Sequence, residues 1–330
     1  MKVVDLHCDV LSLQQKLLVR GEDYSLLSNR THIDLEKLKL GDYLVQCFAV
    51  FANPHKYPDP RRTAFIQIEH FQTMMKQFSS RIAQVFSSRD ILEIRRQGKV
   101  GALLTIEGGG DYMDDPGELR RFYELGARMM SFTWNYENCL AYPNGVPDNS
   151  DKKSRNRLED VNGLKPLGFE FLSEMERLGI IMDVSHLSDA GFRDVCRTAK
   201  RPFIASHSNA RAVCGHVRNL TDDMLRAIAD CGGIAGINYY PDFLDPAENL
   251  QDCRSSLEWM VRHISHIRDV AGTDVIALGS DFDGIFGDLE LADCSQVPRL
   301  AEALRSHGFA SSEIEKIFHK NALRLFQEFF

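Results

Sequence analysis

The chain of 330 residues lacks several features that would place it in particular classes of protein. It has no cluster of Lys and Arg, and its formal net charge is −8, so the cationic surface that nucleic-acid binding requires is missing. No apolar run approaches the roughly 20 residues that span a bilayer. The pattern of an export signal and an apolar C-terminal tail are also missing. We therefore expect neither a nucleic-acid partner nor a membrane anchor.

Paired cysteines are missing as well. The chain has eight cysteines, but none of them forms a Cys-x-x-Cys pair. Because no export signal accompanies them, we expect reduced and mostly buried thiols rather than a disulfide framework. The cysteine pattern therefore predicts a cytoplasmic location.

The chain does contain a regular alternation of short apolar runs and longer segments of helical period. The apolar runs cover 3–9, 43–52, 101–108, 129–135, 180–186, 202–208, 233–240 and 275–282. The predicted helices cover 63–86, 116–125, 164–178, 188–199, 221–231, 250–271 and 311–329. Alternating strands and helices indicate parallel βα units, and eight units predict a single α/β domain over residues 1–330, a (β/α)8 TIM-like barrel.

An open doubly wound sheet is the alternative architecture. Such a sheet usually carries a glycine-rich phosphate loop after its first strand, and this chain has none there. The stretches 51–62 and 142–162 are rich in Pro, Asn, Asp and charged residues. We predict that they are excursions at the barrel mouth rather than linkers between domains.

Polar residues recur at the ends of the predicted strands, where barrel enzymes carry their catalytic groups. They are His7 and Asp9 on the first strand, Glu107 on the third, His186 on the fifth, His207 on the sixth and Asp281 on the eighth. A single strand-end histidine is more often structural, but six polar residues at one rim are hard to explain as packing. We expect these side chains to converge on one site.

The first strand ends in the sequence DLHCD, which sets His7, Cys8 and Asp9 side by side. Side chains alternate between the two faces of a strand, so His7 and Asp9 point the same way and Cys8 points the opposite way. The pattern predicts His7 and Asp9 in the barrel mouth and Cys8 against the helices.

Three imidazoles and two carboxylates are suitable ligands for a hydrolytic metal centre. Five ligands are too many for one tetrahedral zinc ion with an open position, and they fit two zinc ions that share a carboxylate. Glu107, alone on its strand and followed by three glycines, is the natural bridge, and the glycines would let backbone or substrate approach closely. Two metals can hold a hydroxide and lower its pKa, which leaves Asp281 for proton transfer.

Simpler interpretations of the same residues stay open. Asp281 could instead cap a helix after the eighth strand, because Asp283 lies on the same face and offers a second carboxylate. The strand-end residues could form a structural polar cluster, or a metal site without catalysis.

Six short motifs follow one another in the order DLHCD, IEGGG, MDVSHLSD, PFIASHSNARAV, RNLTDDML and LGSDFDG. They resemble the successive motifs of the membrane (renal) dipeptidases and their bacterial relatives, a branch of the amidohydrolase superfamily. The resemblance runs from residue 3 to the NALRLF segment near residue 326. It implies a distorted (β/α)8 barrel with two zinc ions, bridged by Glu107 and a water or hydroxide. His7 and Asp9 would complete the first metal, and His186 and His207 the second.

The resemblance implies further roles. Arg218 would hold the terminal carboxylate of the substrate, which a guanidinium group binds with two parallel hydrogen bonds. Asp281 would be the catalytic aspartate, and Asp283 a bystander. Family members are commonly homodimers, so a homodimer is expected from the resemblance alone.

One position departs from the family pattern. The mammalian members have a substrate-contacting histidine on the fourth strand, and an ungapped alignment places Trp134 there. An indole has one N–H donor and cannot act as a cation, so Trp134 is interpreted as a wall of the substrate pocket. On a regular strand, Asn135 would face away from that pocket.

The residues and the resemblance together predict a cytoplasmic dizinc dipeptidase. Its substrates would be small dipeptides, and a D-residue would be accepted at the C-terminal position. The alternative is a related amidohydrolase that acts on N-acyl amino acids or lactams with the same metals and arginine.

Overall fold

The computed structural model describes residues 1–145 and 158–330, so the central part of the predicted excursion at 142–162 lies outside the described residues. The strands are β1 Val3–Asp5, β2 Tyr43–Phe51, β3 Ile82–Gln84, β4 Val100–Glu107, β5 Ala127–Ser131, β6 Ile181–Asp183, β7 Ala235–Ile237, β8 Arg254–Ser255, β9 Ile276–Leu278 and β10 Asp288–Leu289. The α-helices are α1 Val10–Val19, α2 Leu35–Leu40, α3 Pro60–Gln77, α4 Ser88–Arg96, α5 Pro116–Glu124, α6 Pro166–Leu178, α7 Asp189–Thr198, α8 Asp222–Asp230, α9 Pro241–Leu244, α10 Leu257–Ala271, α11 Pro298–Ser306, α12 Ser311–Glu315 and α13 Asn321–Phe329.

Parallel strands form a closed barrel. β1 pairs with β2 and β9, β2 with β4, β4 with β5, β5 with β6, and β7 with β9. Single parallel bridges from Asp183 to Ile204 and from Ala205 to Ala235 connect β6 to β7. The eight barrel positions are therefore β1, β2, β4, β5, β6, the segment 204–205, β7 and β9. This arrangement confirms the predicted TIM-like barrel, although the predicted strand 202–208 is reduced to two bridges.

The predicted helix over 63–86 is shorter in the structure. α3 begins at Pro60, because the side chain of Asp59 accepts a hydrogen bond from the backbone N of Arg62. It ends at Gln77, and Ile82–Gln84 forms β3, which pairs with the start of β4. The prediction was wrong here because apolar spacing alone does not separate the end of a helix from a short strand.

Two further predicted helices are also divided. The segment 250–271 is helical only from Leu257, where Ser256 caps α10 by accepting a hydrogen bond from the backbone N of Trp259. The segment 311–329 contains α12, a π-helical turn at Lys316–Lys320 and α13. The helices α1, α2, α4, α9 and α11 were not predicted.

Two buried apolar clusters lie on the two faces of the barrel wall. The inner cluster fills the barrel and includes Val4, Leu6, Val45, Leu103, Met129, Ile181, Ile204, Ile234 and Ala277. The outer cluster lies between strands and helices and includes Val3, Cys8, Phe48, Leu104, Met130, Ala205, Ile237 and Leu278. Nearly continuous apolar strands such as β2 and β4 fit this burial on both faces.

Two expectations drawn from composition can be compared with the structure. None of the eight cysteines forms a disulfide bond, and five of them are buried. Within the described ranges 1–145 and 158–330, no helix combines the length and the apolar character that crossing a membrane requires.

Candidate metal centre

Four polar side chains converge where the barrel strands end. Glu107 is the last residue of β4, and His7, His186 and His207 follow the first, fifth and sixth barrel positions. Each of the four has 7% or less of its surface exposed. The closed ring thus brings together residues that are far apart in the chain.

Glu107 presents its two carboxylate oxygens to different partners. Oε1 lies 3.0 Å from Nε2 of His186 and 3.7 Å from Nε2 of His207. Oε2 lies 3.8 Å from Nε2 of His7. A carboxylate in this position can reach two cations at once.

His186 and His207 direct unprotonated nitrogens to the same place. Nδ1 of His186 lies 2.8 Å from Oδ1 of Asn135, and an amide oxygen only accepts, so Nδ1 carries the proton. Nδ1 of His207 lies 2.7 Å from Oγ of Ser206, which donates its own proton to Asp183, so Nδ1 donates here too. The two Nε2 atoms are 3.1 Å apart, and each carries a lone pair. A cation between them would remove their repulsion.

His7 and Asp9 face the opposite side of Glu107. Nε2 of His7 lies 3.6 Å from Oδ2 of Asp9 and 3.9 Å from Oδ1 of Asp281. This buried nitrogen has no hydrogen-bond partner among the described residues. Oδ1 of Asp9 accepts a hydrogen bond of 3.1 Å from Oγ of Ser12 in α1, which fixes the carboxylate.

The charges of these groups match a cation site. Burial lowers the pKa of His186 and of His207 well below the usual range, so both imidazoles are neutral. Burial raises the pKa of Glu107 well above its usual range. Burial opposes the charge on His7, but the surrounding carboxylates, Glu107 first, outweigh it and raise the pKa of His7 to about 10. A divalent cation at this place would favour the ionised form of Glu107 and displace the proton from His7, because metal ligands bind in their deprotonated forms.

Two overlapping groups have the geometry to hold a metal ion. They are His7 with Glu107 and His207, and His7 with Asp9 and Asp281. Imidazole nitrogens and carboxylate oxygens are donors that zinc accepts. The donor set thus fits a metal centre, and the distribution of the five predicted ligands over two ions stays a prediction.

Cys8 is separated from this cluster. It is fully buried in the outer apolar cluster, and burial raises the pKa of its thiol well above the usual range. The alternation of side chains between the two faces is nevertheless interrupted here. Leu6 belongs to the inner cluster, and the next residue, His7, also points into the barrel mouth. β1 has already ended at Asp5, so residues 6–9 do not form a regular strand.

Asp281 lies beside the proposed ligands. Its Oδ2 accepts a hydrogen bond of 2.9 Å from Nδ2 of Asn238, and burial raises its pKa to about 7. Gly284 packs against both carboxylates of this side, since a Cβ there would lie 2.2 Å from Oδ2 of Asp9 and 2.6 Å from Oδ1 of Asp281. Only a glycine allows this approach.

Asp283 has a different environment from Asp281. Its Oδ1 accepts a hydrogen bond of 2.7 Å from the backbone N of His32, and its own backbone N donates to Nδ1 of His32 at 2.9 Å. Asp283 therefore ties the loop before α2 to the eighth barrel position.

Arg218 lines the same pocket, which has a volume of about 340 Å³. It is buried, and its Nη1 donates to Oγ of Ser208 at 3.3 Å. Its Nε and Nη2 have no hydrogen-bond partner among the described residues. Phe243 lies 5.4 Å from the guanidinium carbon. Two parallel N–H donors are thus available for a carboxylate.

Trp134 lies on the wall of the pocket. Its ring is 4.9 Å from the ring of Phe51 and 6.3 Å from that of His186. This placement agrees with the interpretation of Trp134 as a wall, while a contact with substrate stays a prediction.

The prediction that Asn135 faces away from the pocket was wrong. β5 ends at Ser131, so Trp134 and Asn135 do not lie on a regular strand and both line the pocket. Oδ1 of Asn135 accepts the hydrogen bond from Nδ1 of His186. No pattern in the sequence indicated this contact, because strand alternation does not apply after the strand has ended.

We expect Asn135→Ala to weaken zinc binding about 10- to 100-fold, because a partner of a metal-binding histidine fixes its tautomer and its orientation. Asn135→Asp, which keeps an oxygen acceptor, should restore most of the affinity. Competition with a chromophoric chelator measures the zinc affinity of both variants. Equal affinity of wild type and Asn135→Ala would show that His186 does not depend on Asn135.

The glycines after Glu107 have a packing role. A Cβ at Gly109 would lie 2.1 Å from Cε of Met130, and one at Gly110 would lie 2.4 Å from Oδ1 of Asn138. The close approach that the sequence suggested is therefore to neighbouring side chains.

Known proteins that this chain resembles include dipeptidases and metallopeptidases. The model of the membrane dipeptidase family, peptidase family M19, matches residues 1–329. An uncharacterized dipeptidase of Schizosaccharomyces pombe is 31% identical over 350 residues, which cover 99% of this chain and 80% of that protein. The solved structure of dipeptidase AC, an M19 metallopeptidase, is 28% identical, with a TM-score of 0.87 and coverage of 100% and 98% of the two chains. A Rhodobacter sphaeroides metallopeptidase, solved with a phosphinate mimic of L-Ala-D-Ala, is 27% identical, with a TM-score of 0.88 and coverage of 100% and 99%.

Proposed function

This chain belongs to the membrane dipeptidase family, peptidase family M19, and from that premise we propose that it is a dinuclear zinc dipeptidase. It is a metallo-dipeptidase, a hydrolase. In our proposal His7, Asp9 and Glu107 bind one zinc ion, and Glu107, His186 and His207 bind the other. The observation that carries it is the orientation of Glu107, whose two oxygens face different imidazoles.

The metals and the side chains around them have different roles in the proposed reaction. The chemistry that two bound zinc ions would supply is polarisation of the scissile carbonyl and acidification of the attacking water. Asp281 takes the proton of that water and delivers it to the nitrogen of the leaving amine as the C–N bond breaks. Its carboxylate is oriented for this task, because Asn238 holds Oδ2 while Oδ1 faces the ligands.

Arg218 supports a preference for dipeptides. Its free Nε and Nη2 donors form the paired face that binds a carboxylate. With the substrate's terminal carboxylate held there, the scissile carbonyl of the preceding residue would lie over the metal centre. An internal peptide bond has no such carboxylate, and the buried guanidinium would then stay unpaired.

The substrates that we propose are small dipeptides, including those with a D-residue at the C-terminal position. The likeness to a metallopeptidase that binds an L-Ala-D-Ala mimic supports this choice. The cysteines, which are mostly buried and form no disulfide bond, support a cytoplasmic location.

A hydrolysis screen tests the function. The zinc-loaded protein is incubated with L,L- and L,D-dipeptides and, in parallel, with N-acyl amino acids and lactams. We expect release of amino acids from dipeptides, loss of activity on chelation and recovery with zinc. Turnover of only N-acyl amino acids or lactams would refute the dipeptidase proposal and favour the related amidohydrolase reaction.

A further inference from the structure

Two lysines line the pocket together with Arg218 and the proposed metal ligands. Lys16 is half-buried on α1, and Lys56 is exposed in the segment between β2 and α3. Neither ammonium group forms an ion pair or a hydrogen bond with any residue in the ranges 1–145 and 158–330. Neither lysine therefore has a paired counter-ion, although the charge of Lys16 attracts the carboxylate of Asp9, a proposed metal ligand, and helps to lower its pKa.

Lys16 is directed to the pocket by the helix on which it lies. Ser12, one turn earlier on α1, holds the carboxylate of Asp9, and residues four apart share one face of a helix. Lys16 thus lies on the same face as the contact that orients a proposed ligand.

The order of the barrel positions places Lys56 opposite the loop that carries Arg218, and Lys16 follows the position next to that of Lys56. Lys16 and Lys56 follow the first and second barrel positions, and Arg218 follows the sixth. In a ring of eight positions, the second and the sixth are opposite each other. A dipeptide with its terminal carboxylate on Arg218 would therefore extend its N-terminal residue towards Lys16 and Lys56.

The carboxylates of the pocket have other partners. Asp9 and Glu107 are proposed metal ligands, Asp281 accepts from Asn238, and Oδ2 of Asp242 lies 3.7 Å from Nε2 of His216. The two lysines are left to bind an anion that the substrate brings.

We propose that Lys16 and Lys56 bind the side-chain carboxylate of an acidic N-terminal residue, so that the preferred substrates are dipeptides that begin with Glu or Asp. This inference rests on the proposed dipeptidase function. It concerns the choice of substrate, not the chemistry, because neither lysine touches the scissile bond in this arrangement.

The test compares two substrates of equal shape and different charge. L-Glu-Ala and L-Gln-Ala are assayed for kcat/KM with the C-terminal alanine in L and in D form. We expect wild type to prefer Glu about tenfold, and the preference to fall between about 0.02 and 0.5 M salt, as for charge pairs near solvent. In Lys16→Met with Lys56→Met, the preference should disappear, so that kcat/KM for the Glu substrate becomes equal to kcat/KM for the Gln substrate. Lys76→Met, an exposed lysine on α3, is the matched control and should keep the preference.

Binding without turnover gives a second readout. Calorimetric titration with phosphinate analogues of the Glu and Gln dipeptides should show the same preference in wild type and its loss in the double variant. Equal kcat/KM and equal affinity for the Glu and Gln compounds in wild type would overturn this inference, and so would an unchanged preference in the double variant. In either case, turnover of Gln-Ala would leave the dipeptidase function intact. No turnover of any dipeptide would overturn both.

Discussion

Asp281→Asn is expected to lower kcat about 10²- to 10⁴-fold, the usual range for loss of a group that transfers protons. Asparagine keeps the shape of the side chain and can retain a hydrogen bond with Asn238, but it cannot take a proton from water and pass it to the amine. Zinc content should stay at the wild-type value, because our proposal does not count Asp281 among the ligands. Single-turnover kinetics with a dipeptide, alongside metal analysis of the same sample, measures both quantities.

Asp283→Asn is the matched control for this variant. Asp283 is also a buried aspartate, two residues away, but its partner is His32 rather than the metal centre. It should retain kcat within about threefold, as expected for a change away from the reacting groups. If Asp281→Asn turned over dipeptides at the wild-type rate, the carboxylate of Asp281 would have no part in proton transfer.

Arg218→Met is expected to lower kcat/KM for dipeptides about 10²- to 10³-fold, because two charge-assisted hydrogen bonds to the terminal carboxylate are lost. Methionine fills a similar apolar volume beside Phe243 and removes the buried charge, so the fold should be retained. Arg218→Lys should restore little activity, because an ammonium group cannot form the paired contact. Steady-state kinetics with a single dipeptide series measures these losses.

Substrates without the carboxylate provide the control for Arg218. A dipeptide with a C-terminal amide should be a poor substrate for wild type, and Arg218→Met should lower its kcat/KM little further. The two changes remove the same contact, so their effects should not add. Full additivity would mean that Arg218 acts elsewhere in the pocket.

Much of this architecture could be predicted from strand and helix periodicity. The apolar runs at 43–52 and 101–108 became β2 and β4 nearly unchanged, because a barrel strand is buried on both faces. Glu107 could be placed at the site because it ends a long regular strand. The convergence of its partners followed from the general position of catalytic groups in such barrels.

The irregular backbone at the barrel mouth could not be predicted in the same way. His186 and Asp281 have positive φ angles of 70° and 63°, outside the β region, so strand alternation does not apply to them. Asn135 was misplaced for the same reason, since it lies beyond the end of β5. The partial strand at 204–205 depends on pairing with distant segments, which no local pattern encodes. The role of Arg218 came from the family resemblance alone, because a buried arginine has no distinctive spacing.

In our proposal, one barrel mouth holds two zinc ions with Glu107 between them. Zinc content after chelator stripping, reloading and dialysis, determined by mass spectrometry with protein concentration from amino-acid analysis, tests it most directly. We predict two zinc ions per chain in wild type and also in Cys8→Ala, whose thiol lies in the outer apolar cluster. One zinc ion or fewer per chain in the reloaded wild type would contradict the dinuclear centre.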